Sequence, residues 1–223
     1  MARKTAKRTE PRIPLSRDRV LSAAIALADE GGIEALSMRK LAQELGIEAM
    51  SLYNHVANKD DVLDGIVEAV ASEMAASSDE GDDWKKAIRK SAISAYETLL
   101  RHPWAHSLWM RQKPGSSRLG HGDWTLGTLR GAGFSKDLTY HAYHILESYV
   151  LGYTQQVLNF RALDTRVYED IAASFVRGDF ADEFPHFTEH VLQHTEPHHD
   201  DESAFELGLD LILDGLERLR DAA

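Results

Sequence analysis

Cysteine is absent from the chain. That excludes disulfides and thiolate-bound metals, and it fits a reducing compartment. No apolar run approaches the roughly 20 residues that span a membrane, and the basic N-terminus is not followed by an apolar stretch. The expectation is a cytoplasmic protein with neither signal peptide nor membrane anchor. Sustained strand-like alternation is missing, as is any internal repeat. There is no glycine-rich phosphate loop and no nucleophile–base pair that spacing identifies, so no catalytic residue is assigned.

What the sequence does contain is helix. At 223 residues it has material for one large or two small domains with a buried core. Val20, Leu21, Ala24, Ile25 and Ala28 mark one face of a first helix that stops at Gly31 and Gly32. A helix opened by Asn58 runs to about Ser77, and SSDEGDD (residues 77–83) is a composition break. Helices follow over Trp84 to Arg101, from Pro103 to about Arg111, Leu119 to Arg130, Lys136 to Phe160, and about Ser203 to Arg220. Between them, Thr165 to His194 holds one or two shorter helices and EPHHDDES (residues 196–203) a polar linker. The expected fold class is all-α.

The formal net charge of −11 is unevenly spread. Arg3, Lys4, Lys7, Arg8, Arg12 and Arg17 face Glu10 alone in the first 17 residues, whereas residues 63–223 carry 15 basic and 27 acidic side chains. A small basic end on an acidic body suits a nucleic-acid binder, because neutralising phosphates needs only a local patch. Pro11 and Pro14 interrupt any helix in that end, so residues 1–14 are expected to form a flexible basic arm.

Leu36 to Val62 is the most informative stretch. Ser37 stands at an N-cap position, and Leu41, Ala42 and Leu45 form one apolar face. Gly46 follows where a residue of positive φ ends a helix. Ile47 and Leu52 supply the buried face of a second helix; Asn58 caps a third, with Asp61 placed to answer it as a capping box. Two short helices joined by a tight turn, the second exposing a mixed set of side chains, is the geometry that enters a DNA major groove.

The residues MRKLAQELGIEAMSLYNHVANKDDVLD resemble the DNA-binding signature of the TetR family of bacterial transcriptional regulators, without a gap from about Arg17 to about Leu63. The resemblance implies a helix-turn-helix DNA-binding domain over residues 15–62, a connecting helix over 58–77, and an effector-binding and dimerisation domain over 78–223. By the family's pattern, Glu48, Ala49, Met50 and Ser51 reach base edges, with Tyr53, Asn54 and His55 on the following turn. Ala49 and Met50 can read only thymine methyls or shape, whereas Asn54 can pair with an adenine edge. Tyr53 and His55 hold phosphates in relatives, and the ring of Tyr53 is also expected to pack into the small core. Lys59 matches the phosphate-contacting lysine at a helix start. Ser37, Arg39 and Lys40 lie at the start of the helix that crosses the DNA backbone.

The body implies two further sites. In the last helix Phe205, Gly208, Leu209, Ile212, Gly215, Leu216 and Leu219 form one apolar seam, while Leu207, Leu211 and Leu213 are apolar outside it. FELGLDLILDGL is similar to the final helix of the tetracycline-repressor branch, which implies a homodimer bundle made with the long helix Lys136 to Phe160. Tyr153 and Val157 of that helix join Phe205, Gly208, Leu209, Ile212, Gly215 and Leu216 as the expected dimer contacts. The effector pocket implied by the family takes His102, His106, Trp109, Met110, Gln112, Trp124, His144 and Glu147 as its expected lining, with His121, His141, Tyr143 and Tyr149 nearby.

His102 with His106, and His141 with His144 and Glu147, have helical spacing that a metal can use, yet half-buried core histidines show the same spacing. No metal or cofactor is assigned, and His198, His199, Asp200 and Asp201 are taken as solvated linker. Laid on the tetracycline repressors without gaps, Leu99 to Pro114 puts Trp109 where those proteins bind the drug's magnesium through histidine, and Gln112 where they have a threonine. An indole has no lone pair for a metal. The expected partners are double-stranded operator DNA, a second copy of the chain, and an aromatic or apolar effector free of metal. A helical enzyme or metal-binding protein without DNA regulation is the alternative reading.

Overall fold

The computed structural model describes residues 14–74, 83–109, 111–162, 170–175, 180–193 and 201–222, and no strand occurs among them. The helices include α1 (Arg17–Gly31), α2 (Met38–Glu44), α3 (Ala49–Leu52), α4 (Lys59–Glu73), α5 (Trp84–Arg101), α6 (Pro103–Trp109), α7 (Ser116–Gly131), α8 (Lys136–Ala162), α9 (Phe180–Glu183), α10 (Pro185–Gln193) and α11 (Asp201–Asp221); Ile33–Ala35 forms a 3-10 turn and residues 170–175 are also helical. The basic arm up to residue 13, most of the 77–83 break, Met110, and His198, His199 and Asp200 lie outside the described residues.

Side-chain caps set several helix starts. Ser16 accepts from the Arg19 N–H, Ser37 from Lys40, Asn58 from Asp61 and Asp83 from Lys86, at 2.8–3.2 Å. Each satisfies an N–H that the helix itself leaves unpaired and stabilises by about 0.5–2 kcal/mol. Gly46 ends the α2 turn at φ 65°, a conformation that a Cβ disfavours. Asp61 departs from the capping-box expectation. Its carboxylate does not reach back to Asn58; it accepts the Ala57 N–H at 2.8 Å and both prongs of the Arg17 guanidinium at 3.0 and 2.7 Å. A fork–fork ion pair is stronger than a return bond to the cap.

Two helix bounds also differ from the periodic pattern. The third helix of the motif ends at Glu73, not Ser77. In the other direction α7 begins at Ser116, three residues before Leu119. No side chain of its own caps it. The cap comes from α4 instead, where the Glu68 carboxylate accepts the Ser117 N–H. A carboxylate at a helix N-terminus also opposes the positive end of the helix dipole.

The head packs Val20, Ala24 and Leu27 of α1 against Leu41, Leu52, Val62 and Ile66, all buried. α4 then carries the same apolar stripe onward through Val67 and Val70 into the body. There α5 packs on α8, α8 on α7 and α11, and α4 touches both α6 and α7. At 1.5 Å per residue, the 15 residues of α4 make a rod of roughly 22 Å that runs from head to body.

Candidate nucleic-acid interface and effector cavity

The reading edge is short. α3 has only four helical residues, and its apolar anchor Leu52 is fully buried. That anchor turns Met50 outward at 75% exposure. Glu48, Tyr53 and Asn54 are also exposed, whereas Ala49, Ser51 and His55 are half-buried. Tyr53 is 46% exposed, so its ring does not pack into the head core as the sequence implied; Leu52 and Val56 fill that space. Ser37, Arg39 and Lys40 sit together at the exposed start of α2, and Lys59 at the exposed start of α4.

Arg17 organises the turn between α3 and α4. Besides gripping Asp61 it donates to the His55 carbonyl at 3.3 Å, so α1 holds the segment carrying Tyr53, His55 and Lys59. The Arg17 hydrogen bonds hold the Asp61 carboxyl below its usual range, with the Ala57 N–H adding to the effect. Arg17 itself is raised by the same bond.

In the body, α5, α6, α7 and α8, with Met74 just past the end of α4, enclose a half-open cavity. Its volume is about 90 Å³. Met74, Ile88, Leu99 and Val150 make an apolar inner end, while Trp109, His121, Tyr143 and Glu147 stand towards an outer chamber that they also line. Arg118 lies over the Trp109 indole at 4.6 Å and donates to the Gln112 carbonyl at 3.1 Å. Burial lowers the Arg118 and His121 values and raises that of Tyr143.

Of the expected lining, Trp109 and Glu147 face this cavity. Met110 is outside the described residues. The other five do not line it. His106 Nε2 bonds the Leu151 carbonyl at 2.9 Å. The Gln112 main chain bonds to Leu108 and to the Arg118 side chain, and its own side chain is not among the cavity lining. Trp124 packs on the core beside His121, and His144 lies exposed against Tyr140. His102 belongs to a different structure altogether. Its Nδ1–H donates to Asp29 of α1 at 2.8 Å, the Trp104 Nε1–H donates to the same oxygen at 2.6 Å, and Nε2 lies 3.4 Å from Glu73 at the end of α4. Head and body are latched there.

The expected lining also lacked the inner wall. Its signal was the run of small residues Ser91, Ala92 and Ala95 on the buried face of α5, which leaves room that larger side chains would fill. Asp29 and Glu68 carried no sequence signal, since isolated acids on a helix read as surface.

Much of the expected dimer seam is packed inside the chain. Phe205, Leu209 and Leu216 of α11 and Val157 of α8 are buried within the chain. Phe205 stacks on Tyr96 at 4.1 Å and on Tyr149 at 5.3 Å. Tyr153 and Ile212 pack partly against the same core. Gly208 is small because the Tyr149 phenol, which donates to the Phe205 carbonyl at 2.9 Å, occupies the place of a Cβ. Gly215 alone of the set opens outward. The unpartnered face carries Leu207, Leu211 and Leu219, at 63%, 64% and 56% exposure. Ion pairs fix the rotation: Arg89 of α5 holds Glu206 and Asp210, and Lys85 holds Asp214 and Glu217. With those four acids turned to α5, the Phe205–Leu216 stripe must point inward.

Comparison with known proteins gives this architecture a family. Residues 20–66 match the model for bacterial regulatory proteins of the tetR family, and residues 77–220 match the tetracyclin repressor-like C-terminal domain. The chain belongs to the TetR family. It is 38% identical to an HTH-type transcriptional regulator of Saccharopolyspora erythraea over 146 residues, 65% of this chain and 61% of that protein. It is 30% identical to the class G tetracycline repressor protein of Vibrio anguillarum, over 93% of this chain and 96% of that one. ActR from Streptomyces coelicolor has the same fold: its apo structure superposes with a TM-score of 0.77 at 27% identity, covering 95% of this chain and 99% of ActR. Its complex with actinorhodin gives 0.76 at 26% identity, covering 93% and 99%.

This TetR-family chain is thus a DNA-binding transcriptional regulator, and the enzyme reading falls because the family is one of regulatory proteins. Among the described residues no helix is long and apolar enough to cross a membrane.

Proposed function

We propose that the chain is a homodimeric, cytoplasmic repressor that occupies a palindromic operator and is released by a small apolar or aromatic effector. Residues 15–62 serve as the reading head and 78–223 as the sensing and dimerising body. The single observation that carries this reading is α4. Lys59 stands exposed at one end of the rod, and Met74, just past the other end, lines the cavity. A shift of the cavity wall thereby becomes a shift of the head.

Met50, Ser51 and Asn54, with Glu48 and Ala49 beside them, select bases; Lys59, Arg39, Lys40, Ser37, Tyr53 and His55 hold phosphates. The dimer forms through the outward face of α11, Leu207, Leu211, Gly215 and Leu219, against the same face of a second copy. Two-fold symmetry then sets the reading edges about one DNA turn apart, ~34–36 Å. An effector bound in the cavity favours a dimer whose heads no longer match that spacing; a hundredfold preference corresponds to ~2.7 kcal/mol of coupling.

Selection of bound genomic fragments followed by footprinting tests the reading. The expected product is an inverted repeat protected by a dimer. Lys59→Ala should weaken specific and nonspecific binding alike and flatten the salt dependence, while Met50 or Asn54 substitutions change the preferred bases. Protection of a single half-site by a stable monomer would refute the dimeric mode.

A further inference from the structure

Where α4 meets α7, one carboxylate is held by one of its oxygens and left idle at the other. Glu68 Oε1 accepts the Ser117 N–H, whereas Oε2 is buried with no hydrogen-bond partner. The carboxylate lies where a Cβ of residue 115 would stand, and φ there is −91°, so Gly115 supplies space and not an unusual backbone angle. An acceptor buried without a donor is unfavourable, which favours any rearrangement that brings a donor to it. Two carboxylates act on Arg118, in the first turn of α7: Glu68, the stronger, and Glu147. Its guanidinium is engaged elsewhere. It lies over the Trp109 indole at 4.6 Å and donates to the Gln112 carbonyl at 3.1 Å. Trp109 is part of the cavity wall. Arg118 therefore stands between the cavity and an unused acceptor on the helix that carries Lys59. A fork to a carboxylate is the stronger bond, but reaching it gives up the indole and the carbonyl. Each position lacks something that the other has, which is what a two-state element requires.

We propose that Arg118 and Glu68 form a two-position relay that passes a movement of the cavity wall to the reading head. In the first position Arg118 rests on Trp109 and Glu68 caps α7. In the second the guanidinium pairs with Glu68, the carboxylate leaves the Ser117 N–H, and α4 resets against α7. Displacing Arg118 from Trp109 selects the second position, and operator binding selects the first. The relay rests on the reading that α4 couples body to head. Coupling is reciprocal, so DNA bound at the head must act on the first turn of α7 as that turn acts on DNA. The relay can therefore be tested from the DNA side, whatever fills the cavity.

Hydrogen–deuterium exchange of the full-length protein, with and without a genomic fragment selected for binding, tests this. The fragment should slow exchange of the Ser117 and Arg118 amides by at least about fivefold, the lower end of ordinary coupling between sites. Glu68→Gln keeps an acceptor for the Ser117 N–H but offers Arg118 no charge. It should leave these amides protected in the free protein, yet reduce the DNA-dependent change to within about twofold. Arg118→Gln should do the same. A Glu68 that merely caps α7 would leave the full change in both variants. Gly115→Ala, whose Cβ displaces the carboxylate, should lose the protection and the change together. Exchange in α5, read in the same samples, is the reference against loss of folded protein. No slowing at Ser117 in the DNA-bound wild-type chain, or a full change surviving in Glu68→Gln or Arg118→Gln, would overturn the relay. If DNA alters exchange elsewhere in the body but not there, the relay alone is wrong. If no part of the body responds to DNA, coupling through α4 fails and the relay fails with it.

Discussion

Asp29→Ala is the substitution through which the latch between head and body is most directly measured. One oxygen of Asp29 accepts both His102 Nδ1–H and Trp104 Nε1–H. The two donors are 8% and 6% exposed, so neither finds water easily once the carboxylate is gone. An unsatisfied buried donor costs about 1–3 kcal/mol. Two of them set an upper range of roughly 2–6 kcal/mol. The Asp29 side chain is itself 33% exposed, which lets solvent enter the vacated space and brings the expected loss towards ~2–3 kcal/mol. Asp29→Asn keeps one acceptor and should recover about half of that. Urea unfolding at one fixed protein concentration, followed by tryptophan fluorescence and far-ultraviolet circular dichroism, reads the difference; fixing the concentration keeps the proposed self-association from entering the comparison. The latch also ties α1 to the end of α5, so Asp29→Ala should shrink the effect of ligand on operator affinity. A loss below ~0.5 kcal/mol with an unchanged ligand effect would show that the contact is not a strut.

Leu211→Glu should abolish self-association in sedimentation equilibrium while circular dichroism stays native, whereas Leu209→Ala, on the inward face, should cost ~2–5 kcal/mol of stability; a dimeric Leu211→Glu would refute the outward interface. The depressed Asp61 carboxyl contributes stability that is present above its unfolded value of ~3.9 and is lost as pH falls through the lower folded value. Asp61→Asn should therefore flatten the acid limb of a pH–stability curve, and an unchanged limb would count against the Arg17 clamp. At the alkaline end, hydrogen bonds to Asp214 and Glu217 push Lys85 up to about 12 and burial pushes Tyr149 up to about 12. Both contribute stability below their unfolded values of 10.5 and 10.0 that drains away as pH rises towards 12. Tyr149→Phe should lessen that alkaline loss in a denaturation series.

The head was legible because its information is local. Ser37, Gly46 and Asn58 set the ends of their helices by bonds and angles within three or four residues, and such signals survive in sequence order. The rotation of α11 was not. Its apolar positions cover both sides, so the periodicity of Phe205 to Leu216 is equally good as core or as interface. What decides is the pairing of Arg89 and Lys85 with acids 117 to 132 residues away. The histidines failed for a related reason. His102 and His106 share a helical spacing, yet one bonds Asp29 across 73 residues and the other a carbonyl across 45. The early start of α7 was hidden because its cap is supplied by another helix.

That borrowed cap has an evolutionary consequence. Glu68 grips α7 through the main-chain N–H of Ser117, and a backbone group is indifferent to which side chain it carries. Residues farther along α7, such as His121 and Thr125, can be exchanged one by one to suit a new ligand, and the joint to α4 persists through every exchange. Such a joint works as a common socket: sensors of different chemistry fit the same lever, and a lineage can change what it detects without relearning how to let go of DNA.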